Sequence, residues 1–127
     1  MVNVCVKRMF SAAHRIGDHP DKCKKLHGHN YVVEVCVSSE KLDSMNMVID
    51  FGVLKAIVDA VLVKYDHKFL NQVLKERNVT AELIALRLWK AIEQELKKWQ
   101  NSGQVPEGVT LSRIRVYETG NNWVEVP

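Results

Sequence analysis

The sequence has no apolar run approaching the roughly 20 residues that a helix needs to cross a bilayer. It also lacks an excess of one charge: 18 Lys and Arg stand against 15 Asp and Glu, a net charge of +3. With no stripe in which basic and aromatic residues alternate, nothing points to a nucleic-acid-binding surface. Cysteine is scarce. Cys5, Cys23 and Cys36 form no framework spacing, and an odd count suits a reducing compartment. There is no internal repeat and no low-complexity linker. The opening residues, MVNVCVKRMF, alternate in polarity and read as a strand, not a signal peptide. These absences predict a cytoplasmic protein with neither membrane nor nucleic acid among its partners. With 127 residues, 46% of them hydrophobic, the chain is expected to form one domain, residues 1–127, whose core needs no staple.

Period-2 alternation predicts a first strand over about Val2 to Phe10 and a second over about His29 to Ser38, in which Tyr31, Val33, Val35 and Val37 share a face. Cys5 and Cys36 fall inside these strands, where inert buried thiols are expected. Asp50 reads as an N-cap. Behind it Phe51, Leu54, Val58, Val61 and Tyr65 recur at helical spacing. A second helix begins near Thr80, with Ala81, Ala85, Leu88, Ile92, Leu96 and Trp99 as its stripe. The breakers NSGQVPEG end it. Strands over about Leu111 to Glu118 and Trp123 to Val126 follow, joined by a GNN turn. Strands and helices in separate blocks predict an α+β domain, a four-stranded antiparallel sheet covered by two helices. The open edges of such a sheet invite pairing with another copy.

Two of only five histidines stand one residue apart in CKKLHGHNY. If the second strand begins there, His27 and His29 point the same way, and Gly28 between them allows close backbone approach. His14, closing FSAAH, comes near them if the two strands pair antiparallel. Three neutral nitrogens suit Zn²⁺ and leave a fourth position for water or substrate, the pattern of a catalytic zinc. Cys23 could instead complete a closed structural site. His19, in the turn GDHPD, is set aside.

The segments FSAAHRI, CKKLHGHNY, VIDFGVLK, DHKFLN, TAE and YETGNNW occur in this order. Together they resemble the 6-pyruvoyltetrahydropterin synthase / 6-carboxytetrahydropterin synthase family over nearly the whole chain. The resemblance implies a tunnelling fold (ββααββ), assembly of trimers into a homohexamer whose sheets close into a barrel, and active sites between subunits. It implies 7,8-dihydroneopterin triphosphate as substrate and Zn²⁺ as cofactor. By the same resemblance His14, His27 and His29 are zinc ligands, Cys23, Asp66 and His67 are catalytic, and Glu118 anchors the pterin, with Thr80 and Glu82 near its pocket. Three residues between Cys23 and His27 look like the 6-carboxytetrahydropterin synthases of queuosine biosynthesis, whereas the pyruvoyl enzymes usually have a longer gap. Cys23 argues against a subgroup that carries glutamate there. Val79, Leu83 and Tyr65 depart from residues common in the family, and none of them is a proposed ligand or catalytic group.

The chemistry of that reaction accounts for these residue types. A C–H beside a hydroxyl is a feeble acid, so a Lewis acid on the side-chain hydroxyls and a base within reach of the proton are both needed. Lys22, Lys24 and Lys25 surround Cys23 in sequence, and positive charge lowers a thiol pKa from about 8.5. Asp66 beside His67 can bias the imidazole's charge and tautomer. One carboxylate, Glu118, can accept both adjacent N–H donors of a pterin edge. Blander readings exist: Thr80 as N-cap, Glu82 as a first-turn acid, Asp66-His67 as a helix terminus. Lys7, Arg8, Arg15, Lys22, Lys24 and Lys25 outnumber Asp18 and Asp21 and could hold a triphosphate. The expected activity is a zinc-dependent carbon–oxygen lyase forming 6-carboxytetrahydropterin. The alternatives are the pyruvoyl reaction on the same substrate and a non-enzymatic zinc or pterin-binding module.

Overall fold

A computed structural model describes residues 1–127. Strands β1 (Val2–His14) and β2 (His27–Ser39) form a long antiparallel ladder. Its alternation decides which face is buried: Val6, Phe10 and Ala12 of β1 lie on the same side as Tyr31, Val33, Val35 and Val37 of β2. Helices α1 (Phe51–Leu62) and α3 (Ala81–Asn101) cover that side. Leu54, Ile57, Val58 and Val61 of α1 join Ile84, Leu88, Ile92 and Leu96 of α3 in one apolar core. Strand β4 (Thr110–Thr119) pairs with β2, and β5 (Asn122–Val126) with β4, both antiparallel. The architecture is α+β, a single sheet under two principal helices. Neither helix is long and apolar enough to cross a membrane.

Several details depart from the sequence reading. The first two strands run further toward their connection than alternation shows. Pairing continues through Phe10↔Tyr31 and Ala12↔His29 to His14↔His27, because the ladder needs only backbone groups. A fifth strand, β3 (Lys68–Phe69), lies parallel to Ala12–Ala13, followed by the short helix α2 (Leu70–Val73). The sheet order is β3-β1-β2-β4-β5, so the sheet is not wholly antiparallel. Two residues are too few to display a period. Phe51, expected on the buried stripe, is 60% exposed, and Ile57 is buried instead. A Cβ on Gly28 would meet the Ala12 carbonyl at 3.7 Å, an ordinary contact, so no close backbone approach is made there.

Cys5 and Cys36, expected to be inert thiols, are joined in a disulfide. They stand directly opposite each other in the β1–β2 register, on the sheet face away from the helices. Register is a tertiary property, which is why spacing did not reveal the pair. Cys23 is left as the free cysteine.

Both helices start on capped turns. The Asp50 carboxylate accepts the Val53 N–H, and the Thr80 hydroxyl accepts the Leu83 N–H at 3.1 Å. Replacing Thr80 by alanine leaves that N–H without its cap. We expect a loss of about 1 kcal/mol in urea denaturation, with no change in secondary structure content.

Candidate functional site

The end of the β1–β2 ladder builds the site. Directly opposite residues of an antiparallel pair share a face, as do residues i and i+2 of a strand. His14 opposite His27, with His29 two residues on, therefore presents three imidazoles on the helix side of the sheet. Their ring centroids are 4.5 to 5.2 Å apart. One ligand atom from each ring lies within 4.8 Å of the others.

Backbone carbonyls orient two of the rings. His14 Nδ1 donates to the Val79 carbonyl and His27 Nδ1 to the Lys25 carbonyl, each at 2.7 Å. A proton held on Nδ1 leaves the Nε2 lone pair free for a metal. Burial holds the pKa of His14 and of His29 below the ordinary imidazole value. The Val79 contact opposes this at His14, and the Glu118 charge opposes it at His29. The neutral form, which ligates, is the favoured one. The Nε2 atoms of His14 and His29 are buried and have no hydrogen-bond partner. Unpaired buried nitrogens are costly, and a cation at their focus would satisfy both. Three neutral nitrogens suit Zn²⁺, so these residues fit the metal and could hold it. Tyr31 forms the floor. It is fully buried, stacks on Phe10 and meets His14 and His29 edge-on. Burial raises its phenol pKa.

Cys23 sits half-buried in a single 3-10 turn, Lys22–Lys24, whose first N–H is capped by the Asp21 carboxylate. The Cys23 carbonyl accepts the Ile16 N–H at 2.8 Å, tying the loop back to the end of β1. Cys23, Lys22, His27, His29, Glu118 and Asn122 line one cavity of about 460 Å³. The converging ligand group does not include the Cys23 sulfur. Glu118, near the end of β4, approaches the imidazoles from the other side. Its oxygens are 3.5 Å from His29 Nε2 and 3.7 Å from His14 Nε2.

Asp66 and His67 lie apart from this cavity. Asp66 accepts the Ser11 N–H at 2.9 Å, and that bond, ahead of its contact with His67, lowers its pKa. The His67 N–H donates to the Ser11 carbonyl, and its Nδ1 is 3.0 Å from Asp66 Oδ2. His67 has φ +59°, an uncommon conformation for a non-glycine residue. The two contacts to Ser11 hold it there, and its ring projects into solvent, 82% exposed. It lines a different hollow, with Ser11, Asn30, Lys68 and His29. Within one chain, Gly28 and His29 border both. Thr80 and Glu82 line a third recess, which Glu118 also borders.

Some of the basic residues are already committed. Arg8 makes a two-point contact with Asp59 at 2.7 and 2.8 Å, which removes it from the candidates for a phosphate tail. Lys22 lines the Cys23 cavity. Sequence reasoning missed the carbonyls of Val79 and Lys25, the Ser11 backbone and Asn122. It also missed Asn71, whose side chain bonds the Arg15 backbone and the carbonyls of Glu76 and Arg77. Backbone partners carry no side-chain signature, so no pattern in the sequence marks them.

Fold and site thus define an α+β protein with a three-histidine cluster, suited to a metal, beside a free thiol. The chain belongs to the 6-pyruvoyl tetrahydropterin synthase family, whose model matches residues 3–127. It is 34% identical to the 6-carboxy-5,6,7,8-tetrahydropterin synthase of Rickettsia felis, over 96% of this chain and 98% of that protein. It is 29% identical to the Haemophilus influenzae protein of the same name, over 98% of both. Among solved structures, the 6-pyruvoyl tetrahydropterin synthase of Caenorhabditis elegans is similar with a TM-score of 0.77 and 26% identity, covering 99% of this chain and 96% of that one.

Proposed function

We propose that this protein converts 7,8-dihydroneopterin triphosphate and one water to 6-carboxy-5,6,7,8-tetrahydropterin, releasing acetaldehyde and triphosphate. The observation that carries this reading is the convergence of His14, His27 and His29, with the Cys23 thiol lining the same cavity but outside the ligand group. The names of the relatives favour the carboxy product.

In this reading His14, His27 and His29 hold Zn²⁺. When bound, the ion supplies Lewis acidity toward the substrate's side-chain hydroxyls. Cys23, as thiolate, takes the proton from the side-chain carbon. Glu118 accepts the two N–H donors of the pterin edge and sets the ring's position. Thr80 and Glu82 border the recess beside it. Asp66 and His67 form the second proton-transfer pair, the carboxylate holding the imidazole's orientation. Lys22 lines the same cavity and supplies a positive charge toward the phosphate tail.

The decisive experiment is incubation of purified protein with dihydroneopterin triphosphate and identification of the products by mass. Acetaldehyde with the carboxy product supports the proposal. A pyruvoyl product supports the alternative reaction on the same substrate. Unchanged substrate with zinc-loaded protein would leave a metal or pterin-binding module.

We also infer a single-domain protein that assembles as a homohexamer with a closed barrel. β3 covers only Ala12 and Ala13 of β1, so most of that outer edge is free to pair with another copy. In one chain the hollow that His67 lines and the Cys23 cavity are distinct. A site between subunits would join Cys23 of one chain to His67 of the next. If so, Cys23→Ala and His67→Ala proteins, each inactive, should regain activity when unfolded and refolded together. A random mixture restores up to about a quarter of the sites. No recovery in a mixture that has reassembled would place both groups within one chain.

A further inference from the structure

Glu118 faces two imidazole nitrogens, and hydrogen bonding does not explain the contact. The His14 proton is engaged by the Val79 carbonyl, so His14 Nε2 presents a lone pair. The Glu118 carboxylate, 3.7 Å from that atom and 3.5 Å from His29 Nε2, presents lone pairs as well. Acceptors that face one another repel unless a cation lies between them. Around tetrahedral zinc, with ligands at about 2.0 to 2.2 Å, donor atoms sit about 3.3 to 3.6 Å apart. One carboxylate oxygen stands 3.5 Å from His29 Nε2 and the other 3.7 Å from His14 Nε2, each near the spacing of two ligands on one ion, while the converging group itself is the three imidazoles.

We infer that Glu118 is the fourth zinc ligand of the substrate-free protein and leaves the metal when a pterin binds. This rests on the proposed role of Glu118 as the pterin anchor. The carboxylate has two oxygens, and a pterin edge offers two N–H donors that take both. Glu118 therefore exchanges one partner for the other. The coordination position it gives up opens only once the ring is seated, when the substrate's side chain is at hand to fill it. Binding of the correct ring and exposure of the Lewis acid are thereby linked through a single side chain.

The test uses metal alone. Metal-free protein is titrated with Co²⁺ and its visible spectrum recorded, and Zn²⁺ affinity is measured by competition with a chromophoric chelator. Glu118→Gln is expected to bind Zn²⁺ about 10- to 100-fold more weakly than wild type and to give a different cobalt spectrum. Glu118→Asp, which keeps the carboxylate, should recover part of the affinity. Cys23→Ala should match wild type in both readouts. Equal affinities and spectra for wild type and Glu118→Gln would overturn the inference. So would a sulfur-to-cobalt charge-transfer band that disappears in Cys23→Ala. In a second arm, 7,8-dihydroneopterin at saturation should shift the wild-type cobalt spectrum toward that of Glu118→Gln, and an unshifted spectrum would overturn the exchange. The first arm does not depend on turnover. Intact cobalt results with no product would count against the enzyme reading alone.

Discussion

With His29 replaced by alanine, the protein should no longer retain zinc through dialysis, and its turnover should fall by about three orders of magnitude. The size follows from the several kcal/mol that a Lewis acid contributes and about 1.4 kcal/mol per factor of ten in rate. His29 is a cleaner ligand to remove than His14. Its side chain is 20% exposed, against 1% for His14, and His14 also holds the Val79 carbonyl. Removing His14 would mix lost metal with a damaged core. Metal content by elemental analysis gives the first readout. The second is thermal: at a hundredfold excess over Kd, zinc stabilises the wild type by about 2.7 kcal/mol, and this shift should vanish in His29→Ala. A variant that keeps full metal and full activity would show that the three rings are not a metal site.

Cys23→Ala should separate the metal from the base. Zinc binding stays at the wild-type level, because the three imidazoles converge without the sulfur and the carboxylate that faces them is that of Glu118. Turnover falls by about 10²- to 10⁴-fold, the usual contribution of a positioned proton-transfer group. Single-turnover assays on the zinc-loaded variant measure this directly. With Cys5 and Cys36 paired, Cys23 is the free thiol, so iodoacetamide should inactivate the wild type as it labels Cys23. Unimpaired turnover in zinc-loaded Cys23→Ala would remove the thiol from the mechanism, and zinc loss in that variant would make it a ligand.

Much of this was legible beforehand for a physical reason. A half-buried strand must alternate, and a helix on a sheet must carry a stripe, so Tyr31 to Val37 and Ala85 to Leu96 declare themselves. Asp50 and Thr80 are legible because an N-cap is a local bond between near neighbours. The spacing of His27 and His29 marks a shared face for the same reason. Parts that rest on distant backbone were not legible. β3 has too few residues for a pattern, and the Val79 carbonyl that orients His14 lies 65 residues away.

By itself the sequence determined the α+β class, the strand that aims two imidazoles together, the thiol beside them and the two capped helices. These depend on side-chain periodicity and on bonds between close neighbours. Only the tertiary structure decided that His14 stands opposite His27, that Cys5 meets Cys36, that His67 faces another hollow, and that Glu118 looks into the imidazole cluster. Each of these depends on strand register and on backbone groups of remote segments, which no local pattern of residues encodes.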